Sequence, residues 1–332
     1  MDNTRMYSIK NALFVVLTAL ALTSCKDKVY EIPTAKSGLQ TDIIKRSLGP
    51  NIVGTNIEFV FAAAILPEEG RLAELSVEAS IVGDAGSLLE HRSFHTNGSG
   101  TDVAVVVGEP ATQEGNKTKV LITKDTAAVA LRYYYKIPEE ARGKSVSFKF
   151  SAKTKDGKTS SYDMGPFEIR KMDMSLDLVA TDGQKAYISI EDLKAYTAAE
   201  AATMPQKIDL IYLYRALTNV TFGHALVAPS ADPIYLPGIN LPAAMNNRSK
   251  LVKAWTIRDQ QLARLQYGVF VDDIDLSEKT FELAPDFAIN VRNEAGVWVE
   301  TADGRYKAYI YINAIDPTGK KITLSIKRLK IK

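Results

Sequence analysis

A chain of 332 residues with 41 basic and 39 acidic side chains has a net charge of only +2, so it offers no surplus of cations to a polyanionic partner such as nucleic acid. Its single cysteine excludes intrachain disulfides, and any folded body must be held by burial alone. The length suits about two domains.

Arg5 and Lys10 precede an apolar run from Ala12 to Leu22, far short of the roughly 20 apolar residues that span a bilayer. The run ends in Leu22-Thr23-Ser24-Cys25, with the leucine and serine spaced before the cysteine as in a lipoprotein signal peptide. Residues 1–24 are therefore expected to be removed, leaving Cys25 to carry lipid on its sulfur and its amine. Two or more acyl chains hold a protein stably on a membrane, so a lipid-anchored outer-membrane protein is expected. Residues 25–45, which include Pro33 and few apolar side chains, read as a tether.

From Asn56 to about Arg170 the hydrophobic period is two. Leu75, Val77, Ala79 and Ile81 share one face; so do Val129, Leu131, Tyr133, Tyr135 and Ile137, and Val146, Phe148, Phe150 and Ala152. With turns at Asn97-Gly98-Ser99-Gly100 and Asp156-Gly157, residues 46–170 are expected to form an immunoglobulin-like β-sandwich.

The pattern changes at 171–332, read as a β-dominated α+β domain that binds a ligand. Asp182-Gly183 and Asp303-Gly304 have hairpin composition, the latter joining Gly296–Glu300 to Arg305–Asn313. Ile208 to Leu213 is apolar on both faces, as a central strand is. Thr197 and Glu200 have capping-box spacing, and Thr256 to Gln266 fits a helix with Ile257, Leu262 and Leu265 inward. Phe222 to Arg248, with Pro229, Pro233, Pro237 and Pro242, reads as a long, preorganised loop.

The segments SVEASI, HTNGSGTDV, LRYYYKIPEEARGKSVSFKFSAK, MGPFEI, KIDLIYLYR, LPGINLP and YGVFVDDIDL resemble a family of Bacteroidetes lipoproteins without an assigned function. Its members lie near starch-utilisation-type nutrient-uptake systems and are sometimes labelled lipid-binding. The resemblance spans most of Asn56 to Leu276 and implies the compartment, the architecture and an outer-membrane uptake complex as partner; it supplies no catalytic residues. Lys26-Asp27-Lys28 is similar to the charged export signals of such lipoproteins, which favours the cell surface over the periplasmic face.

No Gly-x-Ser-x-Gly elbow, His-Glu-x-x-His pair, Walker loop or dinucleotide-binding turn occurs. Glycoside hydrolases leave no such signature, because their two carboxylates come from distant segments, so a hydrolase stays open as an alternative. His91 and His95 would share one helix face, yet Gly98 and Gly100 set them in a loop. Asp272, Asp273 and Asp275 bring three carboxylates together as a candidate calcium set, the alternative being a solvated strand end. Aromatic residues form the other constellation: Tyr212 and Tyr214 on one strand face, with Tyr235 and Trp255 beside the long loop, present flat rings suited to a sugar or an acyl chain. The expected protein is thus non-catalytic and needs no cofactor, with a spacer domain and a domain binding a glycan or lipid. The alternative is a structural or adhesive surface lipoprotein with a protein partner.

Overall fold

The computed structural model describes residues 36–217 and 220–332. Cys25 and the signal segment lie outside the described residues. Gly38–Lys332 forms one compact unit built from two antiparallel β-sandwiches in tandem.

The first sandwich contains β1 (Gln40–Lys45), β2 (Asn56–Ala64), β3 (Leu72–Ala79), β4 (Leu88–Leu89), β5 (Arg92–Thr96), β6 (Asp102–Val106), β7 (Thr112–Glu114), β8 (Lys117–Leu121), β9 (Ala128–Lys136), β10 (Ser145–Thr154) and β11 (Thr159–Glu168). One sheet runs in the order β1-β2-β9-β4, the facing one β11-β10-β3-β8-β7, and β5 and β6 form a separate hairpin. The period of two is what makes this possible. Alternate side chains of β2, β3, β9 and β10 all point into one core, where Phe59 meets Phe148 and Phe150 edge to face at 5.0 and 5.2 Å. Both expected turns form: Asn97 Oδ1 accepts from the amides of Ser99 and Thr101 between β5 and β6, and Asp156-Gly157 joins β10 to β11.

The second sandwich contains β12 (Asp173–Thr181), β13 (Lys185–Ser189), β14 (Lys194–Thr197), β15 (Leu210–Leu217), β16 (Val220–Val227), β17 (Lys250–Ala254), β18 (Phe287–Ala288), β19 (Gly296–Glu300), β20 (Tyr306–Asp316) and β21 (Lys321–Lys330). Its helices are short: α1 (Ala198–Thr203), α2 (Gln260–Ala263) and α3 (Asp273–Glu278). The sheets run β12-β21-β20-β19-β17 and β14-β13-β15-β16-β18. Leu210, Tyr212, Ile310, Ile312, Leu324 and Ile326 fill the space between them. Each sheet is also buried on its outer face. Ile211 and Leu213 pack under α1 and the loop carrying Ala231, Leu236 and Met245, while Trp298, Tyr309 and Tyr311 pack under Leu262, Leu276 and Phe281. Strands buried on both faces read as continuous apolar runs, which is why Ile208 to Leu213 lacks alternation.

Several expected elements change. Asp182-Gly183 makes no hairpin but carries the chain from β12 in one sheet to β13 in the other. The helix expected over 256–266 shrinks to one turn, because Asp259 caps it through the Leu262 amide at 2.8 Å and Arg264 turns left-handed at φ 52°. Phe222–Val227 belongs to β16, so the long loop begins only after Val227. The capping box at Thr197 and Glu200 and the hairpin at Asp303-Gly304 form as expected.

The two sandwiches meet around Ile52, which is fully buried against Met172, Leu262 and Val271. Arg142 pairs with Asp173 at 2.8 Å, Arg170 lies 3.3 Å from both Asp272 and Asp273, and the Gln261 amide donates to the Pro50 carbonyl at 3.0 Å.

Candidate ligand-binding cleft

The aromatic constellation divides once folded. Tyr212 is fully buried and is no ligand platform: it lies on the face of β15 turned towards the opposite sheet, which sends it into the core, where its hydroxyl meets His224 Nδ1 at 2.6 Å. Burial pushes that hydroxyl well above its ordinary pKa. Tyr214 is half-buried, with its ring 4.7 Å from the His224 ring. Tyr235 is half-buried and stacks on Phe287 at 3.8 Å, so one of its faces is already covered. Trp255 stands exposed just beyond β17, with Lys253 Nζ 5.1 Å from the ring centre.

The acidic triplet is a helix cap. Asp272 Oδ1 accepts from the amides of Ile274 and Asp275 at 2.9 and 3.2 Å, and Asp275 Oδ2 accepts from the Asp272 amide at 3.0 Å. With Asp272 and Asp273 also facing Arg170, these carboxylates are occupied, and no group of three metal-ligating side chains stands together among the described residues. His95 lies on β5 and His91 just before it, in extended chain where four residues span about 13 Å.

Two clefts open at opposite ends of the second sandwich, one where β15 begins and one where it ends. The far cleft, of about 550 Å³, is lined by Asp182, Tyr214, Arg215, Pro237 and Lys320. Two of its charged groups are paired internally: Arg215 binds Asp182 and donates to the carbonyls of Pro237 and Tyr214, both at 3.0 Å. The near cleft, of about 540 Å³, is polar and less saturated. The long loop runs between them, contributing Pro237 and Gly238 to the far cleft and Asn246, Asn247 and Arg248 to the near one.

The near cleft is built around Asp209, the residue immediately before β15, which is only 6% exposed. Its Oδ2 accepts from the Ile190 amide at 2.8 Å, and among the described residues its other oxygen has no hydrogen bond. Burial, helped by the nearby Asp303 and Glu191, pushes this carboxyl up to about 7 against the Ile190 hydrogen bond and the charge of Arg305. Burial also opposes ionisation of Asp303, but hydrogen bonds from Arg305 and Thr301 outweigh it and hold Asp303 below the usual carboxylate range. Arg305 grips Glu191 as well, at 3.2 and 3.3 Å, and Lys207 is held by Asp192 at 3.0 Å. The walls are fixed by Asn247, whose amide donates to the carbonyls of Pro205, Gln206 and Ile208 at 3.3, 2.8 and 2.8 Å. Arg328 donates to the Ile190 carbonyl at 2.9 Å and anchors the segment that holds Asp209.

A rigid cleft with an incompletely bonded carboxyl at its floor and amides at its rim is suited to hydrogen-bond recognition. Pattern reasoning passed over Asp209 because it lies inside an apolar run. The signal was present all the same: a carboxylate lodged between Ile208 and Leu210 has to be buried, and a buried carboxylate demands a partner.

Residues 36–169 match the model of a domain of unknown function (DUF4466), and residues 170–331 match a second domain of unknown function (DUF8576). The crystal structure of a DUF4466 family protein from Parabacteroides merdae is 40% identical, with a TM-score of 0.82 over 89% of this chain and 99% of that one. The chain belongs to the DUF4466 family. In this DUF4466 protein the boundary between the two matched regions falls where the first core ends and β12 begins. Two pilin structures are also similar, at TM-scores too low to carry an argument. The major pilin subunit of Bacillus cereus is 10% identical, with a TM-score of 0.28 over 86% of this chain and 63% of that one. A fragment of the major pilin of Streptococcus agalactiae is 9% identical, with a TM-score of 0.29 over 87% and 91%. No curated protein matches.

Proposed function

We propose that this DUF4466 protein is a lipid-anchored binding protein of the outer membrane, facing the cell surface and accessory to nutrient uptake. In this reading it takes a glycan in the polar cleft at the near end of the second sandwich, and the first sandwich is a spacer. The observation that carries the proposal is Asp209, a buried carboxyl opening with one unbonded oxygen onto a cleft rimmed by Gln206, Asn246 and Asn247. Amides and carboxylates in a fixed frame suit hydroxyl-rich ligands, and the polar lining favours a glycan over an acyl chain. The near balance of acidic and basic groups around the cleft speaks against a polyanion. The lipobox at Leu22-Thr23-Ser24-Cys25 supports the anchor, and the charged residues after it support surface exposure.

The test applies the soluble chain, Lys26 to Lys332, to an immobilised glycan panel and to phospholipid vesicles. Retention on at least one glycan, lost in Asp209→Ala, is the expected result; retention on vesicles alone would replace the glycan with a lipid. For the anchor, Cys25→Ala should stop incorporation of radiolabelled fatty acid and release the protein from membranes. A mutant that still took up label would remove the anchor from the proposal.

A further inference from the structure

The charges around Asp209 balance in number but not in pairing, and this defines the ligand more closely. Glu191, Asp209 and Asp303 are three carboxylates gathered at one cleft, and the cation among them is Arg305. Arg305 is taken: it binds Asp303 and, through both terminal nitrogens, Glu191. The other cations of the cleft are engaged elsewhere. Lys207 is bound to Asp192, and the Arg248 side chain is 80% exposed and 3.7 Å from Asp286. Among the described residues, Asp209 therefore makes no ion pair and has one backbone hydrogen bond, although it is more than nine-tenths buried and lines the cleft.

Deepening the glycan reading and resting on it, we infer that the cleft selects an amino sugar, whose primary ammonium lies against the free oxygen of Asp209. An ammonium presents three donors and a full positive charge. One donor completes Asp209 by a charge-assisted bond, and the rim residues Gln206 and Asn246 carry amide oxygens able to accept from the others. A neutral hydroxyl would satisfy the oxygen but supply no charge to stabilise the ionised carboxylate at this desolvated position. A metal ion is a poor fit, because no three metal-ligating side chains converge among the described residues. Ring stacking contributes little here: Tyr306 is 8% exposed, with Arg305 and Arg328 already over its ring at 5.8 and 5.1 Å. Discrimination by the cleft is thus electrostatic.

Three β-1,4-linked tetramers that differ only at C2 test this: glucosamine, N-acetylglucosamine and glucose, titrated calorimetrically into the soluble chain at pH 6.5. The glucosamine tetramer should bind at least tenfold more tightly than the other two. Asp209→Asn should erase that preference while keeping the wild-type circular dichroism spectrum, and Trp255→Ala, outside the cleft, should retain it. Titration in two buffers of different ionisation heat supplies a second readout. Wild type should release more protons, or take up fewer, than the asparagine variant as the ammonium ionises Asp209, with Glu191, Asp303, Arg305, Lys207 and Asp192 all present and already paired. Equal affinity for the glucosamine and glucose tetramers would overturn the inference and leave the glycan reading standing. Failure of the folded protein to bind the glucosamine tetramer, alongside retention on another glycan of the panel, would do the same. Tighter binding of a lysine tripeptide than of every tetramer would overturn both in favour of a peptide ligand.

Discussion

The two sandwiches solve the same packing problem with different amounts of polar surface to hide. In the first, β10 buries Val146, Phe148, Phe150 and Ala152 and leaves Ser145, Lys149 and Lys153 in solvent, so its charges need no partners. In the second, both faces of both sheets are covered, and polar groups that fall on those strands are enclosed with the core. Some are then paired, some face a cleft, and His224 Nε2 and Asn313 Oδ1 are enclosed with no hydrogen-bond partner among the described residues. Lys327 shows the first outcome and Asp209 the second.

Lys327 is completely buried, its Nζ donating to Asp259 Oδ2 at 2.7 Å and to the Val271 carbonyl at 2.8 Å. Asp259 in turn accepts from the amides of Leu262 and Val271 at 2.8 and 2.7 Å, so the pair ties α2 and the 271 segment to β21. Removing one partner strands the other. Lys327→Met should cost about 3 to 5 kcal/mol of unfolding free energy, whereas Lys149→Met on the solvated face of β10 should change it by less than about 0.5 kcal/mol. Urea unfolding read from far-ultraviolet circular dichroism, to which both sandwiches contribute, measures both, and equal midpoints would end the contrast between the two sandwiches.

That contrast also explains what could be read in advance. Alternation at Leu75 to Ala79 and Val146 to Ala152 reports a strand with one wet face, and those positions are buried as the pattern implies. Ile208 to Leu213 announced a central strand by its continuous apolarity, and the turn at Asp303-Gly304 announced its hairpin. The site was less legible, because it is assembled from the ends of elements far apart in sequence: Glu191, Asp209, Asn247 and Arg305. Tyr212 looked like a platform because alternation cannot distinguish an outward face from one covered by a second layer. The acidic triplet 272–275 has the spacing of a capping box as well as that of a calcium loop, and only the short helix α3 decides between them.

Asp209 offers a test in the opposite direction, since its replacement should stabilise. Its folded-state value, about 7, lies above the ordinary 3.8. The stability linked to this group is therefore fully present below the ordinary value and is lost as pH rises through about 7. Asp209→Asn removes that loss. Its advantage over wild type should grow by about 3 kcal/mol between pH 5 and pH 8, at 1.36 kcal/mol per pKa unit over the two units from pH 5 to about 7. Thermal melts of both proteins at the two pH values give the answer. A variant that gains nothing at pH 8 would mean that Asp209 is already compensated in the free protein, and the case for a missing cation would go with it. A gain would identify a residue kept at a cost in stability, as residues held for binding often are.

The smallest effect separates the two tryptophans. Trp298 is 7% exposed in the cluster beneath α2 and α3, with its ring 4.7 Å from that of Tyr309, and truncating it to alanine should cost about 3 to 5 kcal/mol. Trp255 lies one residue past β17, half in solvent, and its one ring contact with a charge is Lys253. An exposed cation–π pair contributes about 0.5 to 1 kcal/mol, so Trp255→Ala should move the urea midpoint only slightly. It lines neither cleft, and β17 runs from the near end of the sandwich, where Arg248 stands, towards the far end. Its removal should accordingly leave affinity for the glucosamine tetramer within twofold of wild type. A tenfold loss of affinity with an unchanged midpoint would reverse the argument, because the ligand would then be recognised by the exposed ring and Asp209 would be a buried acid with no part in binding.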